Sequence, residues 1–453
     1  MATETTDARA GTRSARRGPL LGDLARLRND PLGLFTEAAA RGDDVVRFRA
    51  AYRSVFLAVG PDAITHVGIH NRDNYVKGVS YDALRVPLPN ALLTIDGDDA
   101  RERRKLLLPL FTRRRLVGEV PTMVAAVESL CERWDGFARS GEEFDIASEM
   151  NRLTFDVVGR ILVGTELGDD MGRLESRLAQ ASEWVARRTR ALVPLPPSIP
   201  TPRNLSYRRA YRELAAWADG LIASRRGRAD GGAVAALVAG RGTGGRQMSD
   251  RELRDEIAAF LMAGYQTTAS ALSWAWYLMS RHPDVQERFA KAAEIALDVG
   301  PPTAGRLDVI PYIGQVLDES MRLYPPGWAF TRTPVRDDEV AGVDVPAGSI
   351  VIVSSYANQR SPRFWENPEV FDPERFAPGR REAIPAYAYF PFGVGPHACI
   401  GKHMAEIEAK LSLAMLARRY RVKAASGEPV AAVPAITLTP AEPIRVRVEL
   451  RGG

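Results

Sequence analysis

The sequence predicts a mainly α protein with small peripheral β-sheets, and three observations carry that reading. Apolar residues recur at three- and four-residue intervals over Pro121 to Phe137, Met150 to Val163 and Leu174 to Leu192, the spacing of amphipathic helices. A longer run from Ser249 to His282 is apolar on most faces and carries helix signals at both ends. Strand-like runs are confined to Asp44 to Val59, Gly348 to Ser354 and the Pro-punctuated stretch Ala432 to Leu450. No fixed-period repeat is present, which excludes solenoids and propellers.

From the N-terminus onward, residues 1–18 are polar and carry Arg9, Arg13, Arg16 and Arg17 without an apolar stretch. They read as a disordered tail before one domain spanning 19–453, with neither a signal peptide nor a membrane anchor. No later run approaches the 18 apolar residues that a span needs. In the 453 residues, 45% hydrophobic, 26% charged and 8% aromatic content is ordinary globular composition, which rules out collagen-like, disordered and disulfide-stapled chains. The 61 Lys and Arg nearly balance the 56 Asp and Glu, so a dedicated nucleic-acid binder is excluded, while a local basic patch for an acidic partner is not. Cys131 and Cys399 are the only cysteines, which fits a reducing, cytoplasmic setting.

Two loops are placed to shape a pocket. Pro194, Pro196, Pro197, Pro200 and Pro202 cannot occupy a helix interior and mark an extended connection between two helices. Gly78 to Asn90 holds Pro87 and Pro89. Gly231 to Gly245 reads as an exposed connection with a short helix around Ala235. Next, Ser249 and Glu252 form a capping box, and His282-Pro283 stops the helix that follows. Its length is about 50 Å at 1.5 Å per residue, enough to cross the molecule. Ala263, Gly264, Tyr265, Gln266, Thr267 and Thr268 sit in its middle, where a Gly and two hydroxyls predict a local kink. Such a break fits close approach by another group, and helix-on-helix packing explains an isolated Gly equally well.

The strongest chemical constellation runs from Phe392 to Gly401, with glycines at 393, 395 and 401 and Cys399 just before a helix that begins near Gly401. The glycines let the backbone turn sharply and approach a large flat group. Amide N–H groups and a helix N-terminus would favour a thiolate, making Cys399 a metal ligand. One thiolate with no second cysteine nearby points to heme iron and away from zinc or a cluster.

Phe392-x-x-Gly395-x-x-x-Cys399-x-Gly401 resembles the heme-binding signature of the cytochrome P-450 monooxygenases. Glu319-Ser320-Met321-Arg322 is similar to the family's E-x-x-R helix and Asp372-Pro373-Glu374-Arg375-Phe376 to its PERF motif, which implies a buried triad of Glu319, Arg322 and Arg375. Ala263-Gly264-Tyr265-Gln266-Thr267-Thr268 resembles the oxygen-activation motif of the long central helix, with Gln266 where the family usually carries an acid. An amide can hold a water chain but cannot take up and release a proton, so Thr267 is left as the main positioning residue.

The resemblance implies the cytochrome P-450 fold, heme b (iron protoporphyrin IX) as cofactor and Cys399 as its proximal ligand. It also implies heme-propionate partners at Arg104, Arg332 and His397, with Ala100 where a further contact usually stands. By position, Tyr81, Leu84, Phe260, Trp328, Phe330 and Ile436 would line a pocket for an apolar or aromatic small-molecule substrate. Electrons would come from a ferredoxin and a ferredoxin reductase, docking near Arg113, Arg114, Arg115, Lys402 and Lys410. The expected reaction is hydroxylation or epoxidation of a secondary metabolite. Oxidative ring closure without oxygen insertion, favoured by Gln266, is the alternative, and a carrier-protein-bound substrate is a further form of supply. A heme-binding protein without turnover is the reading from another class.

Overall fold

The computed structural model describes residues 23–50, 53–163, 170–191, 194–226, 232–239, 247–298 and 300–452. The tail read at 1–18 lies outside them. So do residues 231 and 240–245 of the Gly-rich connection, whose short helix is seen at Gly232–Val238.

The long helix spans Asp250–Arg281 and is the axis of the molecule. Ser249 accepts from the Glu252 amide and Glu252 returns a bond to the Ser249 amide at 2.8 Å, completing the capping box. The helix packs against Ile146–Val163, Pro202–Arg225, Pro311–Leu323 and Lys402–Arg419. From Thr268 to Met279 every residue is buried, which explains why its sequence is apolar all round. Trp134 and Trp276 stand 6.1 Å apart, and Trp274 stacks on Tyr324 at 4.0 Å. Each such side chain contributes roughly 1.5–3 kcal/mol by leaving water.

The helix is continuous through Ala263–Thr268, and Thr267 bonds back to the Ala263 carbonyl one turn earlier, the contact from which a kink is expected. A Cβ on Gly264 would lie 3.0 Å from Val158, so the glycine admits the helix Ile146–Val163 to close contact. Thr154 on that helix donates to the Tyr265 carbonyl at 3.0 Å. Close helix packing accounts for Gly264.

Helices at Val120–Ser140, Ile146–Val163 and Asp170–Thr189 match the periodic segments. The proline-rich connection ends at Pro202, which is the first helical residue of Pro202–Arg225, where a missing N–H costs nothing. The sheets are more numerous than the three strand-like runs. A five-stranded sheet runs in the order Val45–Ala50, Arg53–Ala58, Ile350–Val353, Phe330–Pro334, Tyr75–Lys77. Its last two strands pair antiparallel and set Lys77 opposite Arg332. A three-stranded sheet joins Phe144–Asp145, Arg445–Leu450 and Tyr420–Ala424, and a hairpin joins Ala432–Pro434 to Leu438–Pro440.

Behind the central helix, Glu319, Arg322 and Arg375 come together without solvent. Arg322 donates to Glu319 through Nε at 2.7 Å and Nη2 at 2.9 Å, while Arg375 Nε stands 3.4 Å from the same carboxylate. The remaining Arg322 donors reach the carbonyls of Gln359, Pro368 and Val370. Three chain segments are thus tied by one buried charge cluster that loses its balance if any member is removed.

Candidate active site

A cavity of about 1440 Å³ lies between the middle of the central helix and the loop that ends at Cys399. Ligand pockets run to roughly 1,000 Å³, so this one has room for a large flat cofactor and a substrate beside it. On one wall Ala263, Gly264, Gln266 and Thr267 face inward. Ala263 is exposed although it sits at mid-molecule, because it opens onto this space. Thr267 Oγ1 donates to the Ala263 carbonyl at 2.7 Å. The Gln266 amide donates to the Tyr265 hydroxyl at 3.0 Å, leaving its carbonyl oxygen to accept.

On the opposite wall the chain enters from Phe390 through a tight turn. Gly393 and Gly395 have φ of +75° and +65°, backbone that favours glycine. A Cβ on Gly395 would run into the Gly68 carbonyl, and one on Gly68 would strike Val394. The π-helical turn His66–His70 therefore buttresses the loop from behind. The Cys399 amide donates to the Phe392 carbonyl at 2.8 Å, closing the turn. Gly401 then caps the helix Lys402–Arg419, so Cys399 stands just ahead of that helix N-terminus with its side chain open to the cavity. Burial raises the thiol pKa, against the lowering effect of the Gly401 amide, Arg104 and the Lys402 amide. The two amides act in the direction the sequence reading expects, favouring the thiolate, and a cation bound at the sulfur would favour it further.

Basic groups gather at one end of the cavity. Arg104 comes from Gly97–Leu107, Arg332 and Lys77 from adjacent strands, and His397 from the loop. Their mutual influence holds His397 down to about 4, burial first and then Arg332 and Lys77, so it is neutral at pH 7. Burial likewise holds Lys77 down to about 8. Lys77 donates to the carbonyls of Leu92 and Ile95 at 2.7 and 2.5 Å. Arg332 donates to the Thr331 carbonyl and lies 4.6 Å over the Phe330 ring, set behind the cavity wall. Among the described residues Arg104, Arg332 and Lys77 form no ion pair, and the nearby Asp96 is engaged by Arg85 at 3.1 Å. Adjoining Arg103 is instead paired with Glu252 and Glu256 of the central helix. Uncompensated buried cations of this kind need an anionic guest. A dicarboxylate placed over a thiol fits that donor set.

Tyr81, Leu84, Phe260, Trp328, Phe330 and Ile436 all line the same cavity. Phe260 meets Phe111 edge-on at 5.2 Å, and the Trp328 indole donates to the Ala435 carbonyl at 2.9 Å, so both present apolar faces inward. Sequence reasoning missed Lys77, whose position depends on strand pairing with Arg332. It also missed Glu408, a fully buried acid beside the cavity whose two carboxylate oxygens have no hydrogen-bond partner among the described residues. Burial pushes that carboxyl well above the usual range. Of the expected docking residues, Arg113 and Lys410 share Asp308, and Lys402 lies 3.8 Å from Glu406.

A family model for cytochrome P450 matches residues 13–448. The chain belongs to the cytochrome P450 family. Heme is therefore its cofactor, and it is an oxidoreductase of the monooxygenase type. Among curated proteins this P450 is similar to pentalenene oxygenase of Streptomyces avermitilis, 31% identical over 95% of each chain. It is 32% identical to cyclooctat-9-en-7-ol 5-monooxygenase of Streptomyces melanosporofaciens, over 90% of this chain and 89% of that one. Among solved structures the heme domain of cytochrome P450DA superposes with a TM-score of 0.86 at 24% identity, covering 97% of both chains, which establishes the fold. Members of the family take electrons from redox partners and act on small molecules. Among the described residues no helix is long and apolar enough to cross a membrane.

Proposed function

We propose that this P450 hydroxylates or epoxidises an apolar, cyclic, terpenoid-type secondary metabolite. The observation that carries the reading is one cavity in which the Cys399 thiol and an unpaired cationic end adjoin walls of aromatic and aliphatic side chains. Cys399 would hold the heme iron through its sulfur, and Phe392, Gly395 and Gly401 shape the loop that presents it. Arg104 and His397, which line the cavity, would hold the propionates together with Lys77 where Ala100 offers no contact, and Arg332 would add its charge from behind the wall. Heme with an axial thiolate supplies reductive activation of dioxygen. Around it, Phe260, Trp328 and Ile436 orient an apolar guest, and the central helix offers it the neutral hydrogen-bonding groups of Thr267, Gln266 and Thr268. The names of the two Streptomyces relatives, an oxygenase of pentalenene and a monooxygenase of cyclooctat-9-en-7-ol, support an apolar cyclic substrate.

Electrons come from a ferredoxin and its reductase in the cytoplasm, received near Arg114 and Arg115, which carry no carboxylate partner among the described residues. The second reading is oxidative ring closure without oxygen insertion, favoured by Gln266 being held on Tyr265 with no acid at that place. Titration of the heme protein with terpenoid, polyketide and peptidic metabolites tests the substrate class. A saturable change in heme absorption with cyclic terpenoids alone is expected. A response only to peptidic or carrier-bound compounds would overturn it.

A further inference from the structure

Within the stretch Ala263–Thr268, Tyr265 is the residue that does not belong to the cavity wall. It is turned into the core and is 2% exposed. Its ring meets Phe155 edge-on at 5.3 Å, and its carbonyl accepts from the Thr154 hydroxyl at 3.0 Å. Both partners lie on the helix Ile146–Val163, so Tyr265 is anchored to a neighbouring element as well as to its own.

A buried phenol needs a hydrogen-bond partner. Among the described residues the Tyr265 hydroxyl has the side-chain amide of Gln266, at 3.0 Å. Burial pushes the phenol up to about 12, so at neutral pH it keeps its proton and can both donate and accept. Either end of the amide can therefore serve it. Gln266 thus bridges two environments: it is part of the cavity wall, and its amide is tied to a side chain that belongs to the core. Beside it, Thr267 spends its hydroxyl proton on the Ala263 carbonyl and offers the cavity an acceptor. Untied, a glutamine with three rotatable bonds would sample several positions over the cavity, and holding it in one costs conformational entropy.

We propose that Tyr265 is a positioning residue whose hydroxyl fixes the Gln266 amide beside Thr267, where the unspent polar atoms of that amide order the water that carries protons into the cavity. The amide itself passes no proton, so its place is what matters, and its place is set from the core. A packing role for Tyr265 would need the ring alone, because the ring makes the Phe155 contact. The inference uses the heme and no substrate assignment, so its failure and that of the terpenoid reading are distinguishable.

Infrared spectra of the reduced carbonyl complex test this on the heme-bearing full chain, since the carbonyl stretch responds to polar groups held near the bound gas. The unaltered protein is expected to show one narrow band. Tyr265→Phe deletes one oxygen and keeps the ring, and should raise the share of molecules in a second, shifted band about fivefold, the worth of one neutral hydrogen bond. With a ferredoxin and its reductase supplying electrons, the share of electron pairs that leave as hydrogen peroxide, formed from dioxygen, two electrons and two protons, should rise by a similar factor. In a Gln266→Ala background the same Tyr265→Phe change should alter neither reading, because the residue it positions is gone. An unchanged band in Tyr265→Phe, an equal change with and without Gln266, or loss of heme from Tyr265→Phe would each overturn the proposal, the last two by assigning the hydroxyl to the fold.

Discussion

Replacing Glu319 by Gln is expected to destabilise the protein by about 3–5 kcal/mol, because it leaves a buried arginine without its counter-charge. Arg322 is inaccessible to solvent and spends two of its donors on that carboxylate, and Arg375 lies against the same oxygen. Burial raises the Glu319 pKa while its hydrogen bond from Arg322 draws it back, so the charged form of the acid depends on the arginine. A domain is stable by roughly 5–15 kcal/mol in all, so the loss removes a large share. The denaturation midpoint should fall sharply, with much protein recovered unfolded. A midpoint shifted by less than about 0.5 kcal/mol, as for an ordinary surface pair, would show that the cluster does not hold the three segments together.

Replacing Cys399 by Ser is expected to remove oxygenation to background while leaving a folded protein that still takes up heme. The serine hydroxyl fills nearly the same volume at the end of a turn whose closing bond is made by the backbone amide, so the loop keeps its shape. The cationic end of the cavity, with Arg104, Lys77 and Arg332, still attracts the heme carboxylates. What disappears is the sulfur, and with it the absorption of the reduced carbonyl complex that reports thiolate ligation. A variant retaining that absorption would place the ligand elsewhere.

Much of this was readable in advance, for physical reasons particular to each element. The central helix announced itself through a capping box and a Pro stop, both local signals, and its ends fall at Ser249 and His282 as those signals require. The cysteine loop was readable because a tight turn needs glycine, though the reason Gly395 tolerates nothing larger, the Gly68 carbonyl, comes from a distant turn. The strand Tyr75–Lys77 was missed because three residues carry no period, and Lys77 was missed with it. Glu408 lies on a helix whose other buried residues are mostly apolar, and nothing local distinguishes a buried acid from a solvated one. Gly264 could be given two readings from sequence alone because its neighbour Val158, which it admits to close contact, lies on a distant helix.

The most direct measurement supplies the reduced protein with a cyclic terpenoid that changes its heme absorption, together with a ferredoxin, its reductase and dioxygen enriched in heavy oxygen, and weighs the product. One heavy oxygen atom per product molecule, located on carbon, is predicted. An oxidised product free of the label, or no product from a protein that demonstrably binds the compound, would contradict the account.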